Sequence, residues 1–210
     1  MTGKINRILK EEKRKMRKAA IQRETTETRV SLEIDLDGTG KSHIETGIGF
    51  LDHMLTLVSF HSGFDLEIAC SGDVYVDDHH SVEDVGIALG QGFAQALGDK
   101  RGIQRFGNAW VPMDESLAFV TADVSGRGYL VFRAEFSCPK IGEMTSQNVK
   151  EFFKAFANSA GITLHINLAY GENDHHKAEA IFKAFSLALK HASKVEPCQA
   201  SSLPSSKGVI

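Results

Sequence analysis

The sequence predicts an α/β fold of the α+β sandwich kind, internally duplicated. Each half is expected to pack its helices on one face of a mixed four-stranded sheet. Two internal repeats carry this reading. The alternating segment Val30-Ser-Leu-Glu-Ile-Asp-Leu-Asp-Gly-Thr-Gly40 returns as Ala118-Phe-Val-Thr-Ala-Asp-Val-Ser-Gly-Arg-Gly128. Period-two alternation ending on glycines marks a half-buried strand followed by a turn. The cassette Asp78-His79-His80-Ser81-Val82-Glu83 returns as Asp174-His175-His176-Lys177-Ala178-Glu179, each copy opening a helical pattern. Composition agrees with one sizeable core: 210 residues, 42% hydrophobic, 24% charged, net charge −3.

Along the chain, residues 1–23 hold nine Lys or Arg against Glu11 and Glu12. Residues 1–15 are therefore expected to be a basic, disordered extension without an assigned function. This head lacks the apolar run of a secretory signal, and no later stretch reaches membrane-spanning length. A cytoplasmic location without membrane or nucleic-acid partners is expected. Cys70, Cys138 and Cys198, an odd number without CxxC spacing, fit a reducing compartment and ordinary packing.

The first half is assigned to 16–108 and the second to 109–196. Helix-like segments Phe50–Phe60 and Val149–Phe156 each precede a strand entered through glycine, Gly63–Ile68 and Gly161–Ile166. The cassette helices follow, about Ser81–Leu97 and Lys177–His191. Their apolar stripes are Val85, Ala88, Leu89, Phe93 and Ala96 in one, and Ile181, Phe185, Ala188 and Leu189 in the other. Asn108–Met113 reads as a linker between the halves. Residues 197–210, rich in Ser with Pro204 and Gly208, read as an extended tail.

On a helix, His79 and Glu83 are i,i+4 and His80 and Glu83 are i,i+3, so either histidine can share a face with the acid. The same holds for His175, His176 and Glu179. The two halves differ at two informative places: His53 aligns with Glu151, and His165 aligns with Glu67. Six histidines and two carboxylates thus divide into two sets of three imidazoles and one carboxylate, chemistry suited to Mn²⁺, Fe²⁺, Co²⁺, Ni²⁺ or Zn²⁺. One pairing places His79, Glu83, His165 and His176 on one ion, with His53, His80, His175 and Glu179 on the other. Asp78 and Asp174 are expected to orient ring N–H groups from behind. The competing reading makes these surface histidines, with Glu83 and Glu179 as capping acids. His43 and His61 lack such a frame, and His191 suits a helix C-terminus. Arg105, Arg127, Lys183 and Pro204-Ser-Ser-Lys-Gly208 offer forks, a point charge, hydroxyls and bare amides for a phosphate.

Thr46-Gly-Ile-Gly-Phe-Leu-Asp-His-Met-Leu55, Asp77-Asp-His-His-Ser-Val-Glu-Asp84 and Gly171-Glu-Asn-Asp-His-His-Lys-Ala-Glu-Ala180 closely resemble the imidazoleglycerol-phosphate dehydratase family. Arg23-Glu-Thr-Thr-Glu-Thr28, the Ser-Gly-Arg turn and the terminal Ser-Ser-Lys-Gly resemble it too. The likeness runs from about Met16 to the end. It implies a hydro-lyase of histidine biosynthesis that converts D-erythro-imidazole glycerol phosphate to imidazole acetol phosphate and water. It also implies a 24-subunit homo-oligomeric shell with two Mn²⁺ per active site, holding the substrate ring as imidazolate.

The metal ligands that the resemblance implies are His53, His79, His80, Glu83, His165, His175, His176 and Glu179. Glu27 and Glu179 would be the catalytic carboxylates. Substrate contacts would come from Glu27, His53, His61, His79, Glu83, Arg105, Arg127, His175, Lys183, Ser205, Ser206 and Lys207. Two alternatives remain at this stage, a non-catalytic metal-dependent shell protein and a di-metal phosphohydrolase. The first has no use for the cations, and the second is usually richer in bridging Asp.

Overall fold

The computed structural model describes residues 17–199 and 201–210. The expectation for residues 1–15 lies outside them. In chain order, the first half comprises β1 (Lys18–Glu24), β2 (Thr28–Asp35), β3 (Ser42–Glu45), α1 (Gly49–Ser62), β4 (Asp65–Gly72) and α2 (His79–Leu97). The second comprises β5 (Phe106–Met113), β6 (Ser116–Asp123), β7 (Tyr129–Arg133), the short pair β8 (Lys140–Ile141) and β9 (Met144–Thr145), α3 (Gln147–Ala160), β10 (Thr163–Tyr170) and α4 (Asp174–Ser193).

The duplication is visible in the sheets. One has the order β1-β2-β4-β3, and the other β5-β6-β10-β7. In both, the first three strands are antiparallel and the last runs parallel to its neighbour. Alternation sets which face is buried. Val30, Leu32 and Ile34 of β2 and Ala118, Val120 and Ala122 of β6 point into the core, with their neighbours on the opposite faces. The mixed sheets, with helices on a single face of each, match the expectation.

The helices pack across the halves. α1 of the first half lies against α4 of the second, and α2 lies against α3. α2 also packs on β1 and β2, while α4 packs on β5 and β6, so the helices join the two sheets through a common core. Phe93 of α2, Phe152, Phe153 and Phe156 of α3, and Phe182 and Phe185 of α4 are fully buried there. Close approach of α2 and α3 depends on Gly86 and Gly90. A Cβ at these positions would stand 2.7 Å from the Phe152 carbonyl oxygen and 2.6 Å from that of Phe156.

Two expectations need correction. Asn108–Met113 is not a linker: it lies within β5, paired with β6 from Asn108↔Thr121 to Met113↔Ser116. Pro112 lacks an N–H, but β5 is an edge strand, where that is tolerated. The second copy therefore begins by Phe106, and a division at 108/109 would cut a strand. The tail is not extended either. After a 3₁₀ turn at Pro197–Gln199 it folds back on the body. Ser202 O accepts from Gly102 N (2.9 Å), and Pro204 O accepts from Arg105 Nη1 (2.9 Å).

Candidate metal centre

Each cassette starts its helix with a capping residue that is not the cassette glutamate. Before α4, the Asn173 side chain accepts from His175 N (2.9 Å) and His176 N (3.4 Å). Before α2, Asp77 Oδ1 accepts from His79 N (2.8 Å). Glu83 and Glu179 are thereby released from capping and stand one turn along, beside the histidines.

The tightest gathering is at the α1–α4 contact. Glu179 Oε1 lies 2.9 Å from His53 Nε2 and 3.0 Å from His175 Nε2. One potential ligand atom from each residue falls within 4.8 Å of the others. The carboxylate is buried, while the two imidazoles are 43% and 44% exposed, so the donors are backed by protein and open on one side. Lys183, one turn beyond, places Nζ 2.5 Å from Glu179 Oε2 and 3.1 Å from Met113 Sδ. Burial alone would push Glu179 up; hydrogen bonds from Lys183, His53 and His175 outweigh it and hold the carboxyl at about 2. His61 lies within the influence of the same groups. Partial burial, then the nearby Lys183 charge, lowers its tendency to protonate.

At the other cassette, His79 Nε2 is 3.7 Å from Glu83 Oε2, and Asn148 Oδ1 lies 3.1 Å from His79 Nδ1. The position equivalent to His53 is Glu151, which pairs with Lys154 at 2.8 Å. The second histidines face other partners. His80 Nδ1 lies 3.1 Å from both oxygens of Asp73 and 3.7 Å from Glu27 Oε2. His176 Nδ1 lies 2.7 Å from Glu115 Oε2. His165 projects from the outer face of the second sheet, between inward-facing Leu164 and Ile166.

Glu27 sits at the β1–β2 turn, half exposed. Thr25 Oγ1 shapes that turn by accepting from Glu27 N (3.1 Å) and Thr28 N (2.9 Å). Arg23 Nη2 donates to Asp84 Oδ1 (2.8 Å), and the Thr28 hydroxyl donates to the same carboxylate. Both strands of the hairpin are thus tied to α2, which keeps Glu27 beside His80.

Within one chain, then, His53, His175 and Glu179 converge; His79 with Glu83, His80, His176 and His165 occupy separate places. Neither Asp78 nor Asp174 touches a ring nitrogen directly; Asp78 reaches the His79 ring only through Asn148. Asp78 accepts from Thr145 N (2.7 Å) and Oγ1 (2.6 Å), and Asp174 from Ser137 N (2.7 Å), Cys138 N (2.6 Å) and Lys177 Nζ (2.7 Å). Asp174, the first residue of α4, turns to the Ser137–Cys138 loop, while Asp78, just before α2, turns to Thr145 of β9 and to Asn148. Asp73 and Glu115 were missed as ring partners, although the repeat register pairs Glu115 with Glu27 and could have exposed it.

The cations form a second locus. The Arg105 guanidinium forks onto Asp123 (2.7 and 3.2 Å), lies over the Phe106 ring and holds the tail at Pro204 O. Ile210 returns against Gly126, next to exposed Arg127. Ser205 donates to Val209 O (2.8 Å), while Ser206 and Lys207 are exposed. Arg105, Arg127 and the tail therefore share one end of the molecule, whereas Lys183 belongs with Glu179. A separate cavity of about 650 Å³ on the outer side of the first sheet is lined by Lys18, Glu33, His43 and Glu67, but by no cassette residue.

The family model for imidazoleglycerol-phosphate dehydratase matches residues 46–189, which include every cassette histidine, His53, His165, Arg105, Arg127 and Lys183. This chain belongs to the imidazoleglycerol-phosphate dehydratase family. It is a hydro-lyase. Among its relatives, imidazoleglycerol-phosphate dehydratase of Clostridioides difficile (strain 630) is 58% identical over 93% of this chain and 100% of its own. The enzyme of Xanthobacter autotrophicus is 57% identical over 93% of this chain and 99% of its own. The crystal structure of the Staphylococcus aureus N315 enzyme superposes with TM-score 0.78 at 45% identity, covering 85% of this chain and 99% of that one. IGPD from Pyrococcus furiosus, in complex with (S)-C348, gives TM-score 0.77 at 36% identity over 90% and 100%.

The donor set fits a metal of the kind such a centre needs. Two imidazole Nε2 atoms and a carboxylate held ionised converge from one side, leaving coordination positions on the other. Among the described residues, no helix is long and apolar enough to cross a membrane.

Proposed function

We propose that this chain dehydrates D-erythro-imidazole glycerol phosphate to imidazole acetol phosphate and water in histidine biosynthesis, with two Mn²⁺ per site, in the cytoplasm. The observation that carries the reading is the convergence of His53, His175 and Glu179 across the two halves, with Lys183 alongside, in a chain of this family. His53, His79, His80, Glu83, His165, His175, His176 and Glu179 would hold the metals. When bound, the pair would supply Lewis acidity toward the two ring nitrogens of the substrate.

The chain's own groups then have distinct tasks. Glu27, half exposed and 3.7 Å from His80, takes the proton from the substrate's C2 and moves it toward the departing C3 hydroxyl, with Glu179 as the second carboxylate. Lys183 and His61 border the Glu179 end. Arg105, Arg127, Ser205, Ser206 and Lys207 receive the phosphate, with the arginine forks matched to its oxygens.

A single chain leaves the ligand sets incomplete, because His165, His80 and His176 stand apart from the His53 cluster. We assign their completion to further copies of the chain, in the 24-subunit shell that the resemblance implies. The outer face bearing His165 supports this, since Phe106, Trp110 and Tyr129 are exposed beside it, an apolar surface suited to burial. The deciding experiment incubates the protein with Mn²⁺ and imidazole glycerol phosphate, then measures ketone and inorganic phosphate. Ketone without phosphate is expected. Phosphate release would identify a phosphohydrolase, and metal-dependent assembly without turnover would identify a shell protein.

A further inference from the structure

The two halves place a glutamate at the same hairpin position, Glu27 between β1 and β2 and Glu115 between β5 and β6, but use it differently. Glu115 is fully engaged. Its Oε1 accepts from Asn173 N (2.8 Å) and Glu172 N (3.1 Å), and its Oε2 lies 2.7 Å from His176 Nδ1. In the first half Asp73, in the loop after β4, takes the histidine instead, with both oxygens 3.1 Å from His80 Nδ1. Asp73 N also donates to Glu27 O (3.1 Å), so the substitute partner is fastened to the backbone of the residue it displaces. Glu27 is left 3.7 Å from His80 Nδ1, with a half-exposed carboxylate.

A carboxylate accepting from Nδ1–H fixes the imidazole tautomer and turns the Nε2 lone pair outward. Nε2 is also the nitrogen that His53 and His175 turn toward Glu179. We propose that Asp73 and Glu115 are positioning residues that fix the tautomer and aim of His80 and His176, and that Asp73's taking over this task is what leaves Glu27 available to the substrate. The proposal rests on the metal-binding reading above.

The test is Mn²⁺ titration of the metal-free, full-length protein, read as affinity per site, with thermal melts to verify folding. Asp73→Ala should weaken Mn²⁺ binding about 10- to 100-fold. Asp73→Asn retains an acceptor oxygen and should recover most of that loss, which a purely structural role would not give. Glu115→Gln, although isosteric, should also weaken binding: an amide N–H facing Nδ1 places the ring proton on Nε2, where the metal must bind.

A second comparison tests the link to Glu27. In the Asp73→Ala background Glu27 can move onto His80, so adding Glu27→Ala, which leaves no acceptor there, should weaken Mn²⁺ binding further. The same change in the otherwise native chain should leave affinity as it was. Wild-type affinity in both Asp73→Ala and Glu115→Gln overturns the proposal, as do equal losses in Asp73→Ala and Asp73→Asn. If the native protein itself binds no Mn²⁺, the metal-binding reading falls and takes this proposal with it.

Discussion

His53 and Glu179 stand 126 residues apart in sequence and 2.9 Å apart in space. The contact exists because α1 of one half packs on α4 of the other, so neither copy of the repeat can form this centre alone. Replacing His53 by Ala removes one imidazole from the gathering without touching the buried core. Manganese affinity of the metal-free protein should fall by about tenfold or more. Equilibrium dialysis with metal analysis checks this; wild-type affinity and stoichiometry would take His53 out of the ligand set.

Glu27 offers a cleaner separation of binding from turnover. Among the described residues its carboxylate makes one distant approach, to His80 at 3.7 Å, and the turn that carries it is held by Thr25 and Thr28. Glu27→Gln keeps size and shape while removing the base. Turnover should drop by about 10²- to 10⁴-fold, the usual contribution of a positioned proton-transfer group. Substrate KM and manganese content should change little. Normal kcat in that variant would exclude Glu27 from proton transfer.

These two residues show how far the sequence could be read. His53 and His165 stood out in the sequence because each breaks the repeat, replacing Glu151 and Glu67 of the other copy; of the two, His53 joins His175 and Glu179, while His165 stands on the outer face of β10. The strands were legible wherever inward and outward residues alternate cleanly, as in β2 and β6. β5 was not, since only its pairing with β6, at an edge where Pro112 is tolerated, makes it a strand. The roles of Asp78 and Asp174 were misjudged because spacing says which residues share a helix face, but not that these carboxylates reach Thr145 and the Ser137–Cys138 backbone. Asp73 sits outside the repeated cassette, so nothing in the pattern marked it as the partner of His80.

Asp65 controls a loop far from the histidines and gives the fold an acid-sensitive joint. Its Oδ1 accepts from Thr39 N (2.7 Å) and Lys41 N (2.9 Å), fastening the β2–β3 connection to the start of β4. The Lys41 N–H bond, joined by those of Thr39 and Gly40, outweighs the opposing effect of burial and holds this carboxyl below its ordinary range. A carboxyl lowered on folding stabilises the native state above its unfolded pKa, about 3.9, and loses that contribution as pH falls through the folded value. Asp65→Asn should therefore melt below wild type at pH 7, and the gap should close below about pH 4. Melts of metal-free protein across this range decide the matter; a gap independent of pH would mean that the charge is irrelevant.

The cross-half helix packing predicts where the fold is most sensitive. Phe153 is fully buried on α3, with ring centroids 4.7 Å from Phe182, 5.1 Å from Phe185, 5.2 Å from Phe152 and 6.3 Å from Phe132. These partners lie on α3 itself, α4 and β7, so one side chain joins the helical layer to the second sheet. Phe153→Ala loses the transfer energy of the ring and leaves a cavity that its rigid neighbours fill only in part, a cost of about 3–5 kcal/mol. Trp110, stacked on Phe119 at 4.5 Å on the outer face, is the control: 59% exposed in the isolated chain, it contributes little to the core. Denaturant unfolding of metal-free protein should show a large loss for Phe153→Ala and a much smaller one for Trp110→Ala. Equal losses would mean that the outer face, and not the helix layer between the sheets, limits stability.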